Sequence, residues 1–211
     1  METSMPLLLA AIVGFGHAFE ADHLAAISNI VTRRDKLMLA LKDGAYWGLG
    51  HTSTILLIGV IIMVGKATFL HEVFTYFEAG VGLMLMVLGV VRLRPLWDKA
   101  APARHGQQQE GQQQGHQLAY GVGLIHGLAG SGTLILLVMT EIEGTFTSLL
   151  YLLLFGLGSV FGMLTVASIF GLPFARSVST NKTLQQGLIL LSSLLCITYG
   201  SWVVYQNMIA A

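Results

Sequence analysis

His17-Ala-Phe-Glu20-Ala-Asp22-His23 sets four ionisable side chains within seven positions, and the residues around it, from about 5 to 31, are otherwise mostly apolar. A helix of that length crosses the roughly 30 Å hydrocarbon core of a bilayer. Ionisable groups at membrane depth are costly, face a bundle interior or a wet path, and mark function. The heptapeptide therefore indicates a membrane-spanning helix with a cation-handling cluster inside it. A buried salt-bridged knot and a proton relay are the competing readings of the same residues.

Working outward, five further apolar runs lie near 44–65, 73–93, 118–140, 147–171 and 184–207. None alternates like a strand. Backbone groups in lipid must be satisfied internally, so the expected fold is an all-α integral membrane bundle of six transmembrane helices. Composition agrees: of 211 residues 54% are hydrophobic and 10% charged, where soluble domains carry about 25% charge. The mean hydropathy is +0.71. Lys+Arg and Asp+Glu balance at 11 each, which leaves no basic footprint for nucleic acid. Cys196 is the single cysteine, so neither an intrachain disulfide nor a thiolate cluster is available. Met1-Glu2-Thr3-Ser4-Met5-Pro6 has no basic segment of a cleaved signal. Pro6 is expected to open the first span, Pro95 and Pro102 to lie in the central linker, and Pro173 to end the fifth.

Basic residues set the orientation. The loops on one side carry Arg33, Arg34, Lys36, Lys42, Arg92, Arg94, Lys99, Arg104, Arg176 and Lys182, and the other side carries only Lys66. The basic side is expected in the cytoplasm and both termini outside, in the plasma or inner membrane. The outer side carries Glu2, Glu72, Glu141 and Glu143, with Glu78 just inside the third span. Such a surface gathers cations or simply solubilises loops. Residues 94–117 read as a polar cytoplasmic linker, Gln-rich and mobile, in which His105 and His116 serve as spacer residues more readily than as metal ligands.

The halves 1–93 and 118–211 resemble each other. Gly14-Phe-Gly-His17 aligns with Gly123-Leu-Ile-His126, Trp47-Gly48-Leu49-Gly50 with Phe155-Gly156-Leu157-Gly158, and Gly80 with Gly187. Three spans per repeat is an odd number, so the second half enters the membrane in the opposite sense. Inverted repeats of this kind place a binding site near the midplane at their interface. Gly44-xxx-Gly48, Gly123-xxx-Gly127 and Gly158-xxx-Gly162 are small-residue patterns for close helix packing.

His51 in the second span and His126 in the fourth add to the first-span cluster. Imidazole with carboxylate and no thiolate suits a borderline transition metal. His17 and His23 are six residues apart, about 9 Å along a regular helix. One ion cannot gather both from a straight helix, so the first helix is expected to break at the motif, eased by Gly14 and Gly16, or to carry two stations along a path. The candidate metal residues are His17, Asp22, His23 and His51, with Glu20 and His126 as weaker members.

His17-Ala-Phe-Glu-Ala-Asp-His-Leu-Ala-Ala-Ile27 resembles the H-x4-D-H signature of the nickel/cobalt transporter (NiCoT) superfamily. Gly48-Leu-Gly-His-Thr-Ser53 resembles its second histidine motif, and His126-Gly-Leu-Ala-Gly-Ser-Gly132 looks like its shorter UreH-like nickel permease branch. The resemblance covers essentially all six spans. It implies that His17, Asp22, His23 and His51 line the metal path. Glu20 stands where many members have Asp, and the later acidic motifs of larger members are replaced here by Gly130-Ser131-Gly132.

The expected function is a secondary permease that imports Ni2+, with Co2+ as the alternative cargo, without a bound cofactor. Efflux through the same site and a proton-coupled transporter using the cluster as a relay are the alternatives. The partners expected are the divalent ion and the lipid bilayer, with a homo-oligomer allowed for. A serine protease is disfavoured because Ser131 has no base in span six, and no H-E-x-x-H motif is present. An enzyme is therefore not expected.

Overall fold

The structure is a computed structural model, and it describes residues 4–31, 34, 36–65, 70–97, 108–129, 144–177 and 182–210. Seven helices account for nearly all of these. They are α1 (Ser4–His17), α2 (Ala21–Val31), α3 (Leu37–Gly65), α4 (Leu70–Trp97), α5 (Gln108–Ala129), α6 (Thr145–Ser177) and α7 (Lys182–Met208). No strand occurs among the described residues. α3, α4, α6 and α7 are each long and apolar enough to cross a membrane, and α1 with α2 forms a bent pair that passes the same test. The chain is thus an all-helical, multi-pass membrane protein. The fourth expected span, 118–140, is described only to Ala129, and Gly130-Ser131-Gly132 lies outside the described residues.

The outer faces are those of a protein dissolved in lipid. Leu8, Ile12, Leu57, Phe161 and Leu191 are all exposed, a surface that would aggregate in water. With no hydrophobic gain between helices in lipid, close packing of small residues must hold the bundle. A Cβ at Gly14 of α1 would stand 2.0 Å from the Phe155 carbonyl oxygen of α6, and one at Gly158 would stand 2.1 Å from that of Ala11. A Cβ at Gly123 of α5 would stand 2.1 Å from the Trp47 oxygen of α3, and one at Gly50 2.3 Å from that of Tyr120. The contact registers make α1 parallel to α6 and α3 parallel to α5. Gly82 and Gly200 meet reciprocally where α4 and α7 cross antiparallel.

The first span breaks where the motif begins, and the break is at Ala18–Glu20 rather than at the glycines. α1 and α2 meet at 57°. The Gly16 carbonyl accepts the Phe19 N–H and the His17 carbonyl accepts that of Glu20, tight turns that end α1. Gly14 is helical, and its missing side chain admits α6. The short α2 then runs through the bundle centre. It touches α3, α4, α6 and α7, and every residue from Ala25 to Val31 is buried.

Three sequence expectations need correction. Pro95 and Pro173 lie within α4 and α6, which continue past them, although the apolar part of α6 does end at Leu172. Residues 108–117 belong to helix α5 rather than to a mobile spacer. His116 is held there at the buried Asp43 carboxylate by its Nδ1, 2.6 Å away, and stacks on Tyr46. His105 lies outside the described residues.

Candidate metal centre

Four elements bring the histidines together. His17 ends α1, His23 sits in the first turn of α2, His51 is midway along α3 and His126 near the described end of α5. The ring centroids of His17 and His23 are 4.5 Å apart, His17–His51 and His23–His51 5.2 Å, and His23–His126 5.0 Å. His23, His51 and His126 are fully buried and His17 is 7% exposed. The bend makes this geometry: a straight helix would have kept His17 and His23 about 9 Å apart.

The hydrogen bonds fix which ring nitrogen faces inward. A carboxylate or carbonyl oxygen accepts only, so a nitrogen bonded to one must carry the proton. His17 Nδ1 donates to Glu20 Oε1 at 2.8 Å, His23 Nδ1 to Asp22 Oδ1 at 2.9 Å, and His126 Nδ1 to the Val122 carbonyl at 3.3 Å. In the neutral imidazole the lone pair is then on Nε2. None of these three buried Nε2 atoms forms a hydrogen bond among the described residues. A buried polar atom without a partner costs about 1–3 kcal/mol. Unpartnered nitrogens on three neighbouring buried rings suit the binding of an electrophile. The carboxylate–imidazole pairs are those that orient and sharpen metal-binding histidines.

One ring nitrogen each of His17, His23 and His51 lies within 4.8 Å of the others. Two nitrogens on one ion with ~2.1 Å bonds are at most ~4.2 Å apart, so the rings need only a small inward adjustment. Glu20, Asp22 and His23 offer a second such triad, sharing His23 and lying on the open side. The side chain of Asp22 is 15% exposed and that of Glu20 55%. The break is present, and beside it lie two side-chain triads that could each hold an ion. His126 closes the far side, its Nε2 3.9 Å from Asp22 Oδ2.

The walls were not singled out as site residues in the sequence. Trp47 packs against His23 and His126, and Phe155 against His17. Their alignment as repeat mates was the available signal. Ser159, the mate of His51, is also buried, its hydroxyl donating to the Phe155 carbonyl at 3.0 Å.

Comparison with known proteins points to nickel-transport proteins. The family described as high-affinity nickel-transport protein matches residues 5–119. The urease accessory protein UreH of Bacillus sp. (strain TB-90) is 34% identical over 181 residues, covering 81% of this chain and 78% of that one. The nickel transporter NixA of Staphylococcus aureus is 34% identical over 97 residues, 41% of this chain and 28% of its own. The high-affinity nickel transport protein of Cupriavidus necator is 42% identical over 77 residues, 35% of this chain and 21% of its own. No solved structure shows significant similarity to the chain.

Proposed function

We propose that this chain, which belongs to the high-affinity nickel-transport protein family, is a secondary permease that imports Ni2+ across the plasma or inner membrane. The observation that carries the reading is the convergence of buried imidazoles. His17, His23 and His126 each have Nδ1 held by an oxygen acceptor and a buried Nε2 that forms no hydrogen bond among the described residues. Ni2+ is the cargo rather than a resident cofactor, and Co2+ fits the same donors. His17, Asp22, His23 and His51 would replace part of its water shell, with Glu20 on the open side and His126 beyond Asp22. An inside-negative potential favours inward movement by about 2.3 kcal/mol per charge per 100 mV, about 4.6 for a dication.

Six spans in two inverted repeats, 1–93 and 118–211 joined by 94–117, are the architecture that goes with this function. The helix contacts support it. Exchanging the halves maps the α1–α6 contact onto the α3–α5 contact, and maps α3–α6 and α4–α7 onto themselves. The close approaches obey the same exchange: Gly14 on Phe155 with Gly123 on Trp47, and Gly50 on Tyr120 with Gly158 on Ala11. Two such halves can rock around a midplane site. The excess of basic residues on the loops opposite the termini supports termini on the outside.

The test is radioactive nickel accumulation at sub-micromolar metal in cells carrying empty vector, wild type or His23→Ala. Wild-type uptake above vector that disappears in the variant supports import through this centre. Nickel lowered by the wild type would reverse the direction while keeping the site. Three identical strains would overturn the permease.

A further inference from the structure

A cavity of about 480 Å³ lies beside the centre, between α2, α4 and α7. Among the described residues its polar lining is Asp22, Glu78, Tyr199, Gln206 and Asn207. Tyr199, Trp202, Val203 and Gln206 recur at helical spacing, so one face of α7 forms a wall. The cavity lies toward the end of the bundle where α4 begins and α7 finishes, the end that bears the chain termini in the six-span arrangement.

Asp22 alone of the candidate metal residues lines this cavity. The histidines behind it are 0–7% exposed. One Asp22 oxygen holds His23 at 2.9 Å and the other lies 3.9 Å from the buried Nε2 of His126. That Nε2 makes no hydrogen bond among the described residues and sits directly behind the carboxylate. An ion in the cavity therefore meets Asp22 before any of these imidazoles. The polar lining differs from the centre in kind. It offers carboxylate, amide and phenol oxygens and no imidazole among the described residues. Such donors suit the water shell of a cation better than its direct coordination by a borderline metal. Six waters occupy roughly 180 Å³ at about 30 Å³ each, so a fully hydrated dication fits.

We propose that this cavity is an outer station that binds the divalent cation with its water shell intact. Glu78 supplies the charge, the amides of Gln206 and Asn207 and the Tyr199 phenol hydrogen-bond the shell, and Asp22 receives the ion for exchange of water against imidazole. The proposal rests on the permease reading for the identity of the cargo. It adds a second site and a residue, Glu78, outside the histidine cluster. Because the station reads charge and hydration, it accepts Mg2+ as well as Ni2+, and the imidazole centre makes the selection behind it.

Two measurements test it. The first is the concentration dependence of nickel uptake for the wild type, Glu78→Gln and Glu78→Asp. Glu78→Gln should raise KM by about tenfold, the low end of electrostatic focusing, with kcat within about twofold, and Glu78→Asp should restore most of the loss. The second needs no transport. In a Cys196→Ser background, Val203→Cys is labelled with a membrane-impermeant cationic thiol reagent from the termini side. Labelling should occur and should be slowed by millimolar Mg2+ or by Ni2+, and this protection should vanish when Glu78→Gln is added. A cysteine at 203 that is not labelled from that side, or is labelled without protection by either ion, would overturn the station. A wild type that carries no nickel but shows Glu78-dependent protection would remove the permease reading and leave the station. Normal transport with a wild-type KM in Glu78→Gln and no protection would do the reverse.

Discussion

Asp43, fully buried in α3, is bonded to His116 of α5 at 2.6 Å, which ties the first half of the chain to the second far from the metal centre. The same carboxylate takes both arms of the Arg34 guanidinium, Nη2 at 2.9 Å and Nε alongside. A Cβ at Gly115 would enter that guanidinium, so α5 approaches closely enough to cover the pair. One acid thus gathers a cation, an imidazole and two helices.

Removing one member of a buried pair leaves the other charge uncompensated and costs about 3–5 kcal/mol. Asp43→Ala should therefore destabilise the purified protein by about that much, and His116→Ala, which removes one hydrogen bond and the stack on Tyr46, by about 1–2 kcal/mol. Arg34→Ala combined with Asp43→Ala should be milder than the sum of the two alone. Thermal unfolding in detergent reads all four variants.

Asp22→Asn leaves the shape of the centre but removes the charge, and leaves a neutral amide oxygen as the weaker acceptor for the His23 Nδ1–H. Mutation of such a partner typically lowers metal affinity or activity by about 10–100-fold. Nickel uptake should fall within that range while thermal stability changes little. A loss of stability as large as the loss of uptake would reassign Asp22 to the fold.

Glycine substitutions should separate packing from tolerance. Gly14→Ala and Gly123→Ala place a Cβ about 2 Å from a backbone oxygen, where overpacking costs at least about 1–3 kcal/mol. Gly80→Ala and Gly187→Ala meet nothing within 4 Å and should be neutral. Monodispersity and melting temperature of the four variants give the comparison.

The six-span arrangement predicts that a reporter active only outside the cytoplasm works when fused after Ala211 and fails when inserted near residue 102. Activity at both positions, or the reverse pattern, would refute the inverted topology.

Much of this was readable from local signals. Length and apolarity announce a span because lipid imposes a single length scale on every helix. His17, Asp22 and His23 stand out because charge at membrane depth is too costly to be incidental. The glycine patterns foretold close approach, and the repeat paired Trp47 with Phe155 before either was placed beside a histidine. Asp43 was not legible: its partners lie 9 and 73 positions away, and it falls just ahead of the apolar run. Pro95 and Pro173 misled, because proline weakens a helix locally without obliging it to end there.

Sequence by itself determined the all-helical membrane class and the donor chemistry, since these follow from composition and spacing under the constraint of lipid, and its resemblance to the family named the four residues expected to line the metal path. Only the tertiary structure decided where the first span bends and that His17, His23, His51 and His126 face one another across four helices. It alone also decided which ring nitrogen each of His17, His23 and His126 turns inward, and that Asp22 opens onto a cavity with Glu78. Those depend on helix crossings and hydrogen bonds between residues distant in the chain, for which no local pattern carries the information.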